Sequence, residues 1–208
     1  MSDQINHECG IALIRLLKPL EFYQKKYGTI SYGVNKMYLM MEKQHNRGQD
    51  GAGFASVRLD ASPGEKYVHR RRSAGKQPIQ EIFQEINNEI KNHTPLDIDG
   101  NIPYIGQLML GHVRYGTFGK NNIESVHPFL RQNNWKHRNL IVAGNFNMTN
   151  NQELFDNLVK LGQHPKDKAD GITVMEKIGH FLDYSVSKIY RKLKKEGVSK
   201  MMASALIE

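Results

Sequence analysis

Apolar positions recur along this chain with several different periods, and each change of period marks an element. Residues 9–17, CGIALIRLL, form a near-continuous apolar run, which predicts a strand covered on both faces. Pro19 ends it. A Tyr- and Lys-rich connection leads to Val34, Met37, Tyr38 and Met41, spaced i, i+3, i+4, i+7 as on a helix with one buried stripe. HNRGQDGAG (45–53) follows, then the strand FASVRL, a turn at Ser62-Pro63-Gly64 and a second strand over 66–72. Ile79, Ile82, Phe83, Ile86 and Ile90 predict a helix entered near Pro78, a residue favoured at the first helical position. A surface connection over 94–103 precedes QLMLGHVRYGT (107–117), whose apolar first half reads as a strand.

Asn139 to Ala143 predicts another short strand, and Asn150 with Glu153 predicts a capped helix burying Leu154, Phe155, Leu158 and Leu161 before Gly162 stops it. Asp170-Gly171 opens a long helix with Val174, Ile178, Phe181, Leu182, Ile189 and Leu193 inward, closed by Gly197; MMASALI then reads as a strand. Strands and helices come in mixed order, and several strands are joined without helices. An α+β layered fold is therefore expected rather than a doubly wound sheet.

At 208 residues and 39% hydrophobic content the chain can bury one substantial core. It has no apolar run long enough for a membrane span, and residues 1–8 lack the apolar core of a signal peptide. One cysteine excludes a disulfide framework, which points to the cytoplasm. The net charge of +8 raises nucleic acid as a partner, with Arg70, Arg71 and Arg72 the densest cluster. No reading motif accompanies it, and the lysine-rich run 191–195 suits a helix C-terminus, so no nucleic acid is expected.

Cys9 is the candidate nucleophile. A lone cysteine is also a good small core residue, but this one stands a few residues from the chain start, at the mouth of a strand. If it became residue one, its own α-amine could serve as base. The glycine-dense HNRGQDGAG permits close backbone approach, and no Lys-Ser/Thr follows to make it a phosphate-binding loop. The nine histidines show no paired-ligand spacing, so they are read as structural or exposed, with no metal.

Four segments, taken in order, carry a resemblance: ECGI (8–11), HNRGQDGAG, GHVRYGT with HPF (127–129), and GNFNMTNNQEL. Together they resemble the glutaminase domain of the amidophosphoribosyltransferases, class II glutamine amidotransferases. The RGQD form of the loop distinguishes them from relatives with RGYD or RGPD. The resemblance implies a four-layer αββα sandwich of the N-terminal-nucleophile hydrolase type. It implies a leader over residues 1–8, removed on maturation, and a type 2 amidotransferase domain over 9–208, without the phosphoribosyltransferase domain of the same chain.

The implied activity is hydrolysis of glutamine to glutamate and ammonia, the ammonia destined for phosphoribosylamine formation in purine biosynthesis, with no cofactor in this domain. The implied roles are nucleophile for Cys9, grip on the glutamine α-carboxylate for Arg114 and Thr117, and contact with the α-ammonium for Asp170. Asp167 competes for that last role. Arg47 would order the loop around the nucleophile, and Asn145 would stabilise the oxyanion. At the next position Phe146 replaces the glycine whose backbone N–H the family uses. That departure motivates an alternative, a catalytically silent regulatory or scaffold domain of the same fold. The oligomeric state, homo-oligomer included, stays open.

Overall fold

The computed structural model describes residues 8–93, 102–116, 122–165 and 167–207. They divide into two compact units, one running to Pro128 with Ala143–Asn145 added, the other comprising Phe129–Val142 and the residues from Phe146 onward.

The first unit is a sheet with helices on one face. Its strands are β1 (Gly10–Arg15), β2 (Gly51–Val57), β3 (Val68–Ser73) and β4 (Leu108–Arg114), its helices α1 (Leu20–Tyr27), α2 (Tyr32–Lys43) and α3 (Pro78–Lys91). The order β1-β4-β2-β3 is antiparallel throughout. α2 lies against β1 and β4, α3 against β2 and β3. The apolar stripes meet as the periodicity requires: Met37, Met41, Ile82 and Ile86 are buried with Phe54 and Val113 in one core. Gly111 lies under α2, where a Cβ would sit 2.7 Å from the sulfurs of Met37 and Met41.

The second unit pairs β5 (Phe129–Arg131) with β6 (Leu140–Val142) as an antiparallel hairpin. Its helices are α4 (Asn151–Lys160), α5 (Asp170–Lys195) and α6 (Lys200–Ile207). α5 lies against the hairpin, and α4 and α6 lie against α5. Arg131 fixes the hairpin to α5: its Nε donates to Glu176 at 3.1 Å and its Nη2 to Asp183 at 2.5 Å. The guanidinium rests on Gly179, where any Cβ would fall 2.5 Å from Nε.

Several expectations need correction. β1 is covered on one face only: Ala12 is buried, whereas Ile11 and Leu13 are 45% and 61% exposed. A continuous apolar run does not distinguish a strand with an open face from a sandwiched one. α5 is rotated from the predicted orientation; Gly171, Met175, Gly179 and Val186 face inward while Ile178, Phe181 and Ile189 are exposed. Gly179 takes that face because the Arg131 guanidinium needs the room. The segment 20–27, expected as a connection, is α1, which buries only Leu20 and so shows no apolar stripe. MMASALI is helix, not strand, because Ser199 caps it: the Met202 N–H donates to its Oγ at 3.3 Å. Asn150 precedes α4, but its side chain makes no capping bond. The expected loop falls largely on 94–101, outside the described residues.

Because Ile86 is fully buried, Ile86→Ala is expected to cost about 2–5 kcal/mol in denaturant unfolding. Leu17→Ala, at a side chain 81% exposed, is expected to cost less than about 0.5 kcal/mol. Equal losses would contradict the assignment of the core.

Candidate active site

The register of β1 on β4 builds the site. Gly10 lies opposite Val113 and Ile11 opposite His112, so the next step outward sets Cys9 opposite Arg114. Side chains alternate along a strand. Ala12 and Val113 go to the helix-covered core, so Cys9, His112 and Arg114 belong to the other face. Cys9 is a half-buried free thiol, and its Sγ accepts a hydrogen bond from the Tyr115 backbone N–H at 3.4 Å. Arg114 is 7% exposed.

The loop after α2 closes over the end of β4. The Asp50 N–H donates to the Arg114 carbonyl at 3.0 Å, and the Gly116 N–H donates to the Asp50 carboxylate at 2.7 Å. That approach demands glycine at 48, where a Cβ would stand 2.5 Å from the Arg114 carbonyl carbon. The Arg114 guanidinium and the Asp50 carboxylate both lie 3.3 Å from where a Cβ on Gly116 would be. Gln44, also from the end of α2, donates to the Ile11 carbonyl at 3.2 Å. Arg47 pairs with Glu8, the residue before the thiol, at 3.1 Å. Both side chains are about half exposed, so this pair adds little stability.

Beside Arg114 lie two imidazoles, the fully buried His112 and the half-buried His127, with ring centres 4.5 Å apart at 69°. Burial pushes both below the ordinary histidine range, His112 to about 4 and His127 to about 3, and the positive charge of Arg114 adds to the shift in each. Both are neutral near pH 7. The backbone of Gly144 favours the His112 proton in the opposite sense. The segment bearing His127 is pinned from β3, where Arg72 donates to the Val126 carbonyl at 2.9 Å and Arg70 to that of Pro128 at 3.3 Å. Its backbone passes over Gly53 of β2, leaving no space there for a side chain.

Of the residues expected at the site, Cys9, Arg47 and Arg114 come together in the first unit. Asn145 belongs to the same unit and is exposed. Phe146 and Asp170 belong to the second unit, where Asp170 opens α5 and accepts the Met148 N–H at 2.7 Å. Thr117 lies outside the described residues. Residue-type reasoning passed over Asp50 and the Tyr115 N–H. Asp50 had a signal, as the acidic residue in a glycine-dense loop; a backbone donor has none in sequence. Among the described residues no group of three or more His, Cys, Asp or Glu could hold a metal ion, and no helix is long and apolar enough to cross a membrane.

The chain is similar in sequence to enzymes of one class, the amidophosphoribosyltransferases. That of Bacillus subtilis is 30% identical over 182 residues, covering 85% of this chain and 30% of the enzyme. That of Methanocaldococcus jannaschii is 31% identical over 132 residues, 62% of this chain and 23% of the enzyme. That of Archaeoglobus fulgidus is 26% identical over 145 residues, 70% and 26% respectively. The chain thus spans roughly a quarter to a third of the curated relatives it matches. A solved structure titled as the allosteric regulatory enzyme of purine biosynthesis aligns with 88% of this chain and 29% of its own, at 20% identity and a TM-score of 0.47. No family model matches the chain.

The buried histidines set a pH dependence. A group with a depressed folded pKa contributes stability that is full above its unfolded value, about 6.5 for histidine, and is lost as pH falls toward the folded value. The urea midpoint is therefore expected to drop between pH 7 and pH 4.5, and His127→Gln is expected to flatten that drop. Identical pH profiles for the two proteins would show that His127 does not bury its neutral form.

Proposed function

We propose that this chain is the glutaminase part of an amidophosphoribosyltransferase, with Cys9 as nucleophile once the leader of residues 1–8 has been removed. The observation that carries the reading is the thiol of Cys9 at the head of β1, opposite the buried Arg114 and under the HNRGQD loop. Sequence similarity to amidophosphoribosyltransferases supports the same reading.

In this reading the glutamine α-carboxylate lies on Arg114, held by two hydrogen bonds as a guanidinium allows, and Thr117 and Asp170 keep the roles that the resemblance implies. The Cys9 thiol gives its proton to the α-amine, and the thiolate so formed attacks the side-chain amide carbon. The oxyanion of the tetrahedral intermediate takes a hydrogen bond from the Asn145 amide. The proton then returns to the leaving nitrogen, the C–N bond breaks, and ammonia departs from a γ-glutamyl thioester. Water, deprotonated by the same amine, releases glutamate. While Glu8 remains attached, the Cys9 nitrogen is an amide with no basic lone pair. The leader must therefore leave before the base exists.

A four-layer αββα sandwich is the architecture proposed for the assembled domain, and transfer of ammonia to a phosphoribosyl acceptor is proposed for the phosphoribosyltransferase domain. No cofactor enters the proposed glutaminase chemistry. The second reading, a silent domain of the same fold, rests on Phe146 in place of the family's glycine; Phe146 is not among the described residues with positive φ, so backbone strain does not argue for it.

The test compares glutamine-dependent ammonia release by protein beginning at Cys9, by the same protein with Cys9→Ser, and by a form retaining the leader. Activity is expected in the first alone. Activity in the leader-bearing form, confirmed intact by mass, would refute the α-amine mechanism, and inactivity in all three would favour the silent domain. Arg114→Lys is expected to raise the glutamine KM about tenfold, roughly 1.4 kcal/mol, because a point charge cannot reproduce a two-bond grip. An unchanged KM with a lowered unfolding midpoint would make Arg114 a structural residue instead.

A further inference from the structure

The ladder of β1 on β4 begins at Gly10, opposite Val113, so Cys9 stands one residue beyond it. β1 is an edge strand, and one side of its backbone therefore has no neighbouring strand to bond. At the Ile11 carbonyl a side chain takes that place: Gln44 Nε2 donates to it at 3.2 Å. The same side chain lies against Gly10, where an added Cβ would collide with the Gln44 Oε1 and stand 3.2 Å from the Gln44 Cβ. Gln44 is itself held on both sides. Its N–H donates to the carbonyl of the core residue Met41 at 3.0 Å, and its carbonyl accepts the Arg47 N–H at 2.8 Å. One half-buried glutamine thus ties together the end of α2, the HNRGQD loop and the head of β1.

While the leader is attached, the pairing of Glu8 with Arg47 at 3.1 Å restrains the residue before Cys9. Removal of the leader takes that restraint away and makes Cys9 a chain terminus, joined to the sheet through Gly10. Terminal residues fray, and glycine is the residue freest in φ and ψ. We infer that Gln44 is a positioning residue: its carboxamide fixes the backbone of Gly10 and Ile11 and so aims the Cys9 thiol once Cys9 begins the chain. The inference rests on the glutaminase reading, in which Cys9 attacks the side-chain carbon of glutamine. A displacement of about 1 Å at a reacting group costs on the order of 100-fold in rate. Glutamine is held at Arg114 whether or not the thiol is aimed, so loss of the Gln44 hydrogen bond lowers kcat and leaves KM alone. A purely structural glutamine would lower the unfolding midpoint and leave the kcat of the folded protein as it was.

The test uses protein beginning at Cys9 with Gln44→Met, which keeps the length of the side chain and removes the donor, and with Gln44→Glu, which keeps its shape and presents only acceptors to the Ile11 carbonyl. Each is expected to lower kcat about 10- to 100-fold with KM within about twofold. A second measurement needs no activity: the NMR order parameter of the Gly10 amide is expected to fall from about 0.85, the rigid level, to below about 0.6 in Gln44→Met, with β2 and β3 unchanged. An unchanged kcat, a KM that rises in step with the fall in kcat, or an unmoved Gly10 overturns the inference. If the unsubstituted protein releases no ammonia, the glutaminase reading fails, and the Gly10 measurement alone decides whether Gln44 holds the head of β1. If Gln44→Met does not fold, Gln44→Glu decides by the same two readouts.

Discussion

The hydrogen bond from the Asp50 N–H to the Arg114 carbonyl is the contact on which the candidate site depends. It joins two sequence motifs at the point where β4 ends and beside the head of β1. Two requirements meet there. Gly48 must lack a Cβ so that the loop can touch the Arg114 backbone, and Asp50 must turn its carboxylate to the Gly116 N–H. Together they account for glycine and aspartate at these positions. The thiol profits indirectly, because the ordered backbone at Tyr115 presents an N–H to sulfur.

The electrostatics of the site follow from the burial of Arg114. The two adjacent imidazoles stay neutral chiefly because they are withdrawn from water, and the positive charge of the guanidinium adds to the effect. A half-buried thiol beside one buried, fixed cation suits a carboxylate-bearing substrate with an electrophilic carbon a few atoms away. In that reading the histidines are parts of the frame. Their ring nitrogens lie on the strand face that bears Arg114, which makes them more consequential than exposed histidines would be.

Much of this was legible in the sequence. The helical stripes of α2 and α3 and the strands β2, β3 and β4 appear where the periodicity put them, because each buries one regular face against the same core. Failures arose where burial was decided by a partner that sequence does not reveal. On α5, the Arg131 guanidinium rests on Gly179 while Phe181 faces outward; α1 buries a single leucine; α6 starts at a serine cap that an apolar run concealed. At the site, Cys9, Arg47 and Arg114 were readable because their chemistry belongs to the side chain. The Tyr115 N–H was not, since any residue supplies a peptide group and only the fold aims it. Phe146 was legible as a departure, and the structure shows that it takes no positive φ.

The central claim is that Cys9 is a nucleophile for the side-chain carbon of glutamine. It is tested most directly by exposing protein that begins at Cys9 to a glutamine analogue bearing an electrophilic carbon in place of the amide, then locating the adduct by peptide mass. The account predicts one adduct per chain, on Cys9, slowed by excess glutamine and weakened by Arg114→Lys. Labelling that ignores glutamine, or that spares Cys9 in folded protein, would contradict it.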